Sequence, residues 1–251
     1  MVMSDQEVRA VLFDMSGTLY PQTHVARAAA SSSAFVRDMF GIEQPVEHIM
    51  QTIRTCWISA TPQFVALPFY LMADLYREFH RRAFNDLGVS CSDDQLELVI
   101  EDLRQAAARE ASPQEGATEL LNSLRNAGIR TGIVSVNDER DLSLLVDSCG
   151  FRDHVDFILS SEAARSCKPD REIFLQALHL ADVPAAQAVY VGDMPALDVL
   201  GANRVGMRSV LLTQEAGFMV QPSIDEGAER PDFAISHLDE FGPIVLGRQL
   251  P

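Results

Sequence analysis

Val11-Leu12-Phe13-Asp14-Met15-Ser16-Gly17-Thr18-Leu19 decides how the rest of this chain is read. The β-branched and aromatic content of Val11 to Phe13 favours a short buried strand over a helix. Asp14 stands where that strand leaves its sheet. Ser16-Gly17-Thr18 suits a tight turn, because Gly17 is free to take positive φ. In an open α/β sheet, ligands bind just beyond the carboxyl ends of the strands. A carboxylate there, followed by a loop of free N–H groups, suits an anion and its metal. A strand ending in an ordinary Asx turn has the same local pattern, so the stretch takes its meaning from what surrounds it.

Downstream of Gly116, helical and strand patterns alternate. Strands are expected at Ile129 to Val136, Phe157 to Leu159, Ala188 to Val191, Ser209 to Leu212 and Phe233 to Ile235. Helices are expected at Ala117 to Ala127, Asp138 to Cys149, Pro169 to Ala181 and Ala196 to Arg204. That order predicts a Rossmann-like parallel sheet with helices on both faces. Residues 20–112 differ, because helical periodicity dominates and strand signals are scarce. Val25 to Phe40, Pro45 to Ile58 and Pro68 to Leu87 read as helices. Ser92 with Gln95 reads as a capping box that opens a fourth. Four such helices with short connections can form a small bundle. Residues 214–231 read as a polar surface loop.

Three further stretches carry polar groups at strand or helix ends: Ile133-Val134-Ser135, Cys167-Lys168-Pro169-Asp170, and Val191-Gly192-Asp193 with Asp198. Lys168 is the single lysine among twenty basic residues, which points to a site needing a compact ammonium rather than a planar fork. Asp193 and Asp198 can converge from a turn and the following helix start. With Asp14 they would make a hard, oxygen-rich site suited to Mg²⁺. Each has an ordinary reading too. A stray lysine, a solvated turn with an acid at a helix start and a structural serine account for them singly.

Taken together and in order, the four stretches resemble the motifs of the haloacid dehalogenase-like hydrolase superfamily. The resemblance implies an α/β core of residues 1–19 and 113–251. It also implies a helical cap, residues 20–112, inserted after the first motif, which closes over the site and selects the substrate. It makes Asp14 a nucleophile that forms an aspartyl-phosphate and Ser135 and Lys168 the phosphoryl clamps. The metal set it implies is Asp14, the Ser16 carbonyl, Asp193 and Asp198. Ser16 departs from the pattern, since phosphatases of this superfamily usually carry there a second aspartate that protonates the leaving oxygen and later activates water. A serine hydroxyl does neither near pH 7, and general acid–base catalysis is worth roughly 10²–10⁴-fold. Three consequences stay open: a leaving group that needs no acid, a long-lived phosphoenzyme, or a different reaction. The superfamily's 2-haloacid dehalogenases need no metal and generally lack the acidic pair that this chain retains. Its phosphonoacetaldehyde hydrolases form an imine with a cap lysine, which residues 20–112 do not contain.

The bulk properties narrow the partners. A formal charge of −16 argues against nucleic acid, whose affinity rests on cationic contacts to phosphates, and against an anionic membrane surface. No apolar run reaches spanning length, and the first ten residues do not form a secretory signal. Cys56, Cys91, Cys149 and Cys167 lack metal-type spacing and are expected to be reduced, in a cytoplasmic protein. The expected activity is a Mg²⁺-dependent phosphatase acting on a small phosphorylated metabolite. The alternatives are carbon–halogen or other carbon–heteroatom hydrolysis at Asp14, and an impaired fold that only binds a ligand. Arg54, Trp57, Tyr70, Arg77, His80 and Arg81 are the candidate substrate contacts from the helical region.

Overall fold

The computed structural model describes residues 8–213 and 230–246. Six parallel strands form one sheet: β1 (Ala10–Phe13), β2 (Arg130–Ser135), β3 (Phe157–Ser160), β4 (Ala188–Gly192), β5 (Arg208–Leu212) and β6 (Phe233–Ile235), in the order β3-β2-β1-β4-β5-β6. β1 is central. Its two neighbours, β2 and β4, lie on opposite sides of it, so the chain reverses direction across the sheet at β1. The carboxyl end of β1 therefore opens onto a crevice.

Alternation along the strands supplies the two faces. Val11, Phe13, Ile133, Val189 and Val191 point one way and pack against α5 (Ala117–Asn126), α6 (Glu139–Ser148) and α10 (Phe241–Leu246). Leu12, Val134 and Tyr190 point the other way, against α8 (Arg171–Ala181) and α9 (Leu200–Val205). A short α7 (Ser161–Ala164) follows β3. At Gly132 and Gly201 an added Cβ would strike the rings of Phe157 and Phe174, so glycine lets the Phe157 ring lie across its neighbouring strand and lets α8 and α9 pack closely.

Between β1 and α5 run four helices: α1 (Gln22–Phe40), α2 (Val46–Val65), α3 (Met72–Asp86) and α4 (Asp93–Glu110). Two apolar clusters hold them, one around Leu75 and Phe79, the other around Val36, Ile49, Val99 and Ile100. The two connections to the rest of the chain lie side by side, because the Gln114 N–H donates to the Leu19 carbonyl at 2.7 Å.

Element edges depart from the sequence reading where tertiary contacts decide them. α2 runs past Ile58 and through Pro62 to Val65. An interior proline forfeits a backbone hydrogen bond, but buried Ala60 and half-buried Phe64 carry the helix on through packing. α3 begins at Met72 rather than Pro68. Its cap is distant in sequence: the Asp138 carboxylate accepts from Met72 N at 2.8 Å and Ala73 N at 2.9 Å. The expected Ala196 helix opens with a single π turn, Pro195–Val199, before α9. The Ser92–Gln95 capping box forms as read. Most of the expected loop at 214–231 lies outside the described residues. No helix among the described residues is long and apolar enough to cross a membrane.

Candidate active site

The floor of the site is assembled from strand ends. Asp14 follows β1, Ser135 ends β2, and Asp193 follows β4. Lys168 arrives from the loop between α7 and α8. Residues 15–20 coil back tightly, with the Met15 carbonyl accepting from Leu19 N at 3.0 Å and Tyr20 N at 2.8 Å. Gly17 takes φ +90° in this turn, and a Cβ there would run into the Asp193 carboxylate and the Gln22 amide. A Cβ at Gly192 would likewise strike the Asp198 carboxylate. Backbone and carboxylates thus meet at closest approach on both sides.

Lys168 is the hub. Its ammonium donates to Asp14 Oδ1 at 2.5 Å, Asp198 Oδ1 at 2.6 Å and the Tyr190 hydroxyl at 3.1 Å. All three of its donors are thereby used. The Tyr190 hydroxyl in turn donates to the Val134 carbonyl at 2.9 Å. Asp198 Oδ2 accepts from Met194 N at 2.9 Å, and Asp193 Oδ2 accepts from the Gln22 amide at 3.1 Å. Asp14, Lys168, Asp193 and Asp198 are all buried.

Burial dominates the protonation of this floor. Desolvation pushes the Asp14 carboxyl up to about 6, opposed by the Lys168 charge and assisted by the Asp198 charge. Asp193 is held well above the usual carboxylate range, first by burial and then by Asp14 and Asp198. Lys168 loses some stability as an ammonium through burial, but the Asp14 and Asp198 charges more than restore it, and its pKa lies well above the ordinary value. Three carboxylates thus face a single ammonium. One ligand oxygen from each of Asp14, Asp193 and Asp198 lies within 4.8 Å of the others. A compact set of hard oxygen donors with surplus negative charge fits a divalent cation such as Mg²⁺.

Above this floor opens a cavity of about 160 Å³. Asp14, Ser16, Ser135 and Lys168 line its base. Of the six candidate contacts from the helical region, Arg54, Trp57 and His80 line it too. Tyr70 instead packs edge-on against Phe64, Arg77 pairs with Asp74 and Glu97, and Arg81 pairs with Asp93. The roof is largely apolar: Trp57 stacks on Phe79 with ring centroids 5.9 Å apart and planes 11° from parallel. The His80 ring is bonded to the Tyr76 carbonyl at 2.8 Å, and burial lowers its pKa to about 4.

Sequence reasoning missed Gln22, Tyr190, Asp138 and the Arg104–Asp141 pair. Gln22 sits in the first turn of α1, where glutamine has no special signal. Tyr190 reads as an ordinary strand residue. Arg104 on α4 donates to Asp141 on α6 at 2.7 Å and, with Asp138 beneath α3, ties the helical region to the sheet region.

Residues 8–206 match the family model for haloacid dehalogenase-like hydrolases. The chain belongs to this family. It is 34% identical over 165 residues to haloacid dehalogenase-like hydrolase domain-containing protein 3 of Bos taurus, covering 57% of this chain and 64% of that protein. The chain therefore spans less than two thirds of that relative's length. Its identity to ribulose-1,5-bisphosphate 5-phosphatase of Halopiger xanaduensis is 24% over 260 residues, covering 94% of this chain and 98% of that one. Among solved structures, the magnesium-bound HAD hydrolase YfnB of Bacillus subtilis superposes with a TM-score of 0.78 at 16% identity, covering 96% of this chain and 100% of that one. At that identity the likeness concerns the fold.

Proposed function

We propose that this hydrolase is a Mg²⁺-dependent phosphatase that transfers the phosphoryl group of a small phosphorylated metabolite to Asp14. The observation that carries the reading is the Asp14 carboxylate at the central strand end, bonded to Lys168 and clustered with Asp193 and Asp198. A phosphatase-named relative aligned over nearly the whole chain supports it. Residues 1–19 and 113–251 would form the catalytic core, and residues 20–112 the cap.

In this reading Asp14 attacks phosphorus and splits one hard displacement into two steps. An anion attacking an anion needs intervening positive charge. Lys168 supplies one part, and its bond to Asp198 holds the ammonium at the edge of the site. Ser135 offers its hydroxyl to a phosphoryl oxygen. Asp14, the Ser16 carbonyl, Asp193 and Asp198 would hold Mg²⁺, which when bound neutralises phosphoryl charge and orients the ester. Gln22 keeps the Asp193 carboxylate turned inward.

Phosphate release from a panel of phosphorylated metabolites, with Mg²⁺ and with EDTA, tests the proposal. Metal-dependent release is expected, and Asp14→Asn is expected to reduce it roughly 10⁴-fold or more. The apolar roof and Ser16 favour a second reading, carbon–halogen hydrolysis at Asp14. Halide release from 2-haloacids that survives EDTA would select that reading and remove the first.

A further inference from the structure

Resting on the phosphoryl-transfer reading above, we infer that the substrate carries its phosphate on an aryl or enol oxygen: the floor takes the phosphoryl group, the Trp57–Phe79 end takes a flat, ring-sized body, and the leaving oxygen departs without a proton from the protein.

Two independent observations converge on this class. The first is that, among the described residues lining the cavity above the floor, no side chain is set up as a proton donor. Residue 16 is serine. Away from the floor, the ionisable lining of the cavity is Tyr20, Arg54, Tyr76, His80 and the Arg104–Asp141 pair. Arg54 and Arg104 present guanidiniums, hydrogen-bond donors suited to binding an anion. Burial raises the Asp141 carboxyl, but its Oδ1 accepts from Arg104 at 2.7 Å, an ion pair that favours the carboxylate. The His80 ring is buried and bonded to the Tyr76 carbonyl. Burial raises both tyrosines above the ordinary phenol range. Only a leaving group that is stable as an anion departs well from such a site, and delocalisation into an sp² system supplies that stability.

The second observation is the shape and polarity of the roof. An engineered apolar cavity of about 150 Å³ holds one benzene ring, so this cavity, about 160 Å³ with its floor included, admits a body no larger than one ring. Met50, Ile53, Trp57, Phe79, Leu103 and Leu144 contribute to its lining. A sugar or polyol placed against these six side chains would turn hydroxyls towards apolar surface, where they lose their water without gaining a partner. A ring meets the stacked Trp57–Phe79 pair without that cost. The Tyr20 hydroxyl, Gln22 Oε1 and the Ser32 hydroxyl have no hydrogen-bond partner, and their residues line the same cavity. They suffice for one polar substituent on the ring.

The chemistry balances without a further reactant. An Asp14 Oδ–P bond forms as the P–O(aryl) bond breaks. The electron pair stays on the aryl oxygen, which leaves as phenolate and takes its proton from solvent. Water then attacks phosphorus, the Oδ–P bond breaks with its pair returning to the Asp14 carboxylate, and the water's proton is lost to solvent.

The test uses the whole protein with Mg²⁺ and substituted phenyl phosphates whose phenols span pKa about 7 to about 10, with glycerol phosphate and glucose 6-phosphate as alkyl comparators. Across the aryl series kcat/KM is expected to fall roughly 10²-fold as the phenol becomes a poorer leaving group, and Ser16→Asp is expected to flatten that slope to under about tenfold while raising alkyl ester turnover by roughly 10²-fold. Trp57→Ala is expected to raise KM for phenyl phosphate about tenfold, near 1.4 kcal/mol, with inhibition by inorganic phosphate unchanged. Alkyl esters cleaved as fast as aryl esters, or a slope that Ser16→Asp leaves untouched, would overturn the leaving-group assignment and leave the phosphatase standing. Equal losses of phenyl phosphate and inorganic phosphate affinity in Trp57→Ala would overturn the placement of the ring. If no ester releases phosphate in an Asp14-dependent way, the phosphatase reading itself fails and takes this inference with it.

Discussion

The floor and the roof of one cavity are built on opposite principles. At the floor, Lys168 locks Asp14 and Asp198 together through short charge-assisted hydrogen bonds, and Gln22 holds Asp193 beside them. At the roof, apolar and aromatic side chains close around space. The same cause, burial, moves the two ends in opposite directions. It raises the Asp14 carboxyl to about 6, so that end favours the protonated and less charged form. It lowers the His80 imidazole to about 4, so that end also stays neutral. Desolvation disfavours charge at both ends. The floor has the partners to keep its charge, as does the Arg104–Asp141 pair where the two regions join, whereas His80 in the roof has none.

The sharpest way to break this contrast is to remove its hub. Lys168→Met leaves Asp14 and Asp198 facing each other with no ammonium between them. Removing one partner of a buried ion pair costs about 3–5 kcal/mol, and the loss is expected as a lower midpoint in chemical denaturation of the metal-free protein. A change below about 1 kcal/mol would mean that the carboxylates share protons freely and that Lys168 is not what holds them.

His80 sharpens the comparison from the other end. Its pKa is about 4 in the folded protein against 6.5 in the ordinary state. Above pH 6.5 the ring is neutral in both the folded and the unfolded chain, and its contribution to stability is complete. As pH falls from 6.5 towards 4, the unfolded chain binds the proton first, and stability drops by roughly 3 kcal/mol. Thermal melts over this window are expected to show the loss, and His80→Phe is expected to flatten it. Asp14 works in the reverse sense, since its raised pKa favours folding at low pH and that contribution fades as pH rises through about 6.

The smallest effect is expected where the two regions join. Asp138→Ala removes the carboxylate that caps α3, and a lost cap costs about 1 kcal/mol. Hydrogen exchange at Met72 and Ala73 is the direct measurement, with faster exchange expected there and none at the first turn of α8, which Asp170 caps from its own N-terminus.

The same contrast explains what the sequence disclosed. The strand-end groups of the floor were legible because each ends a short apolar run or follows a glycine, and local order along the chain is enough to place a strand end. Asp14, Ser135 and Asp193 carry that signature. The sheet and its helices were legible for the same reason. The roof was not, because a helix shows which of its faces is apolar but not what that face encloses. Arg54, Trp57 and His80 line the cavity, whereas Arg77 and Arg81, on the same kind of helix, are spent on surface ion pairs. The start of α3 was missed because its cap comes from Asp138, 66 residues away. Gln22 and Tyr190 gain their roles only once β1, β4 and α1 are assembled, and no neighbouring residue announces them.

Lys168 has a consequence outside catalysis. Every other basic residue apart from histidine is arginine, so an acylating reagent meets a single side-chain amine in the whole sequence, and that amine is 3% exposed. It is a native chemical clock. The rate at which it is modified reports how often the floor opens to solvent, and a ligand that keeps the cavity shut will slow the clock without any label having been engineered into the protein.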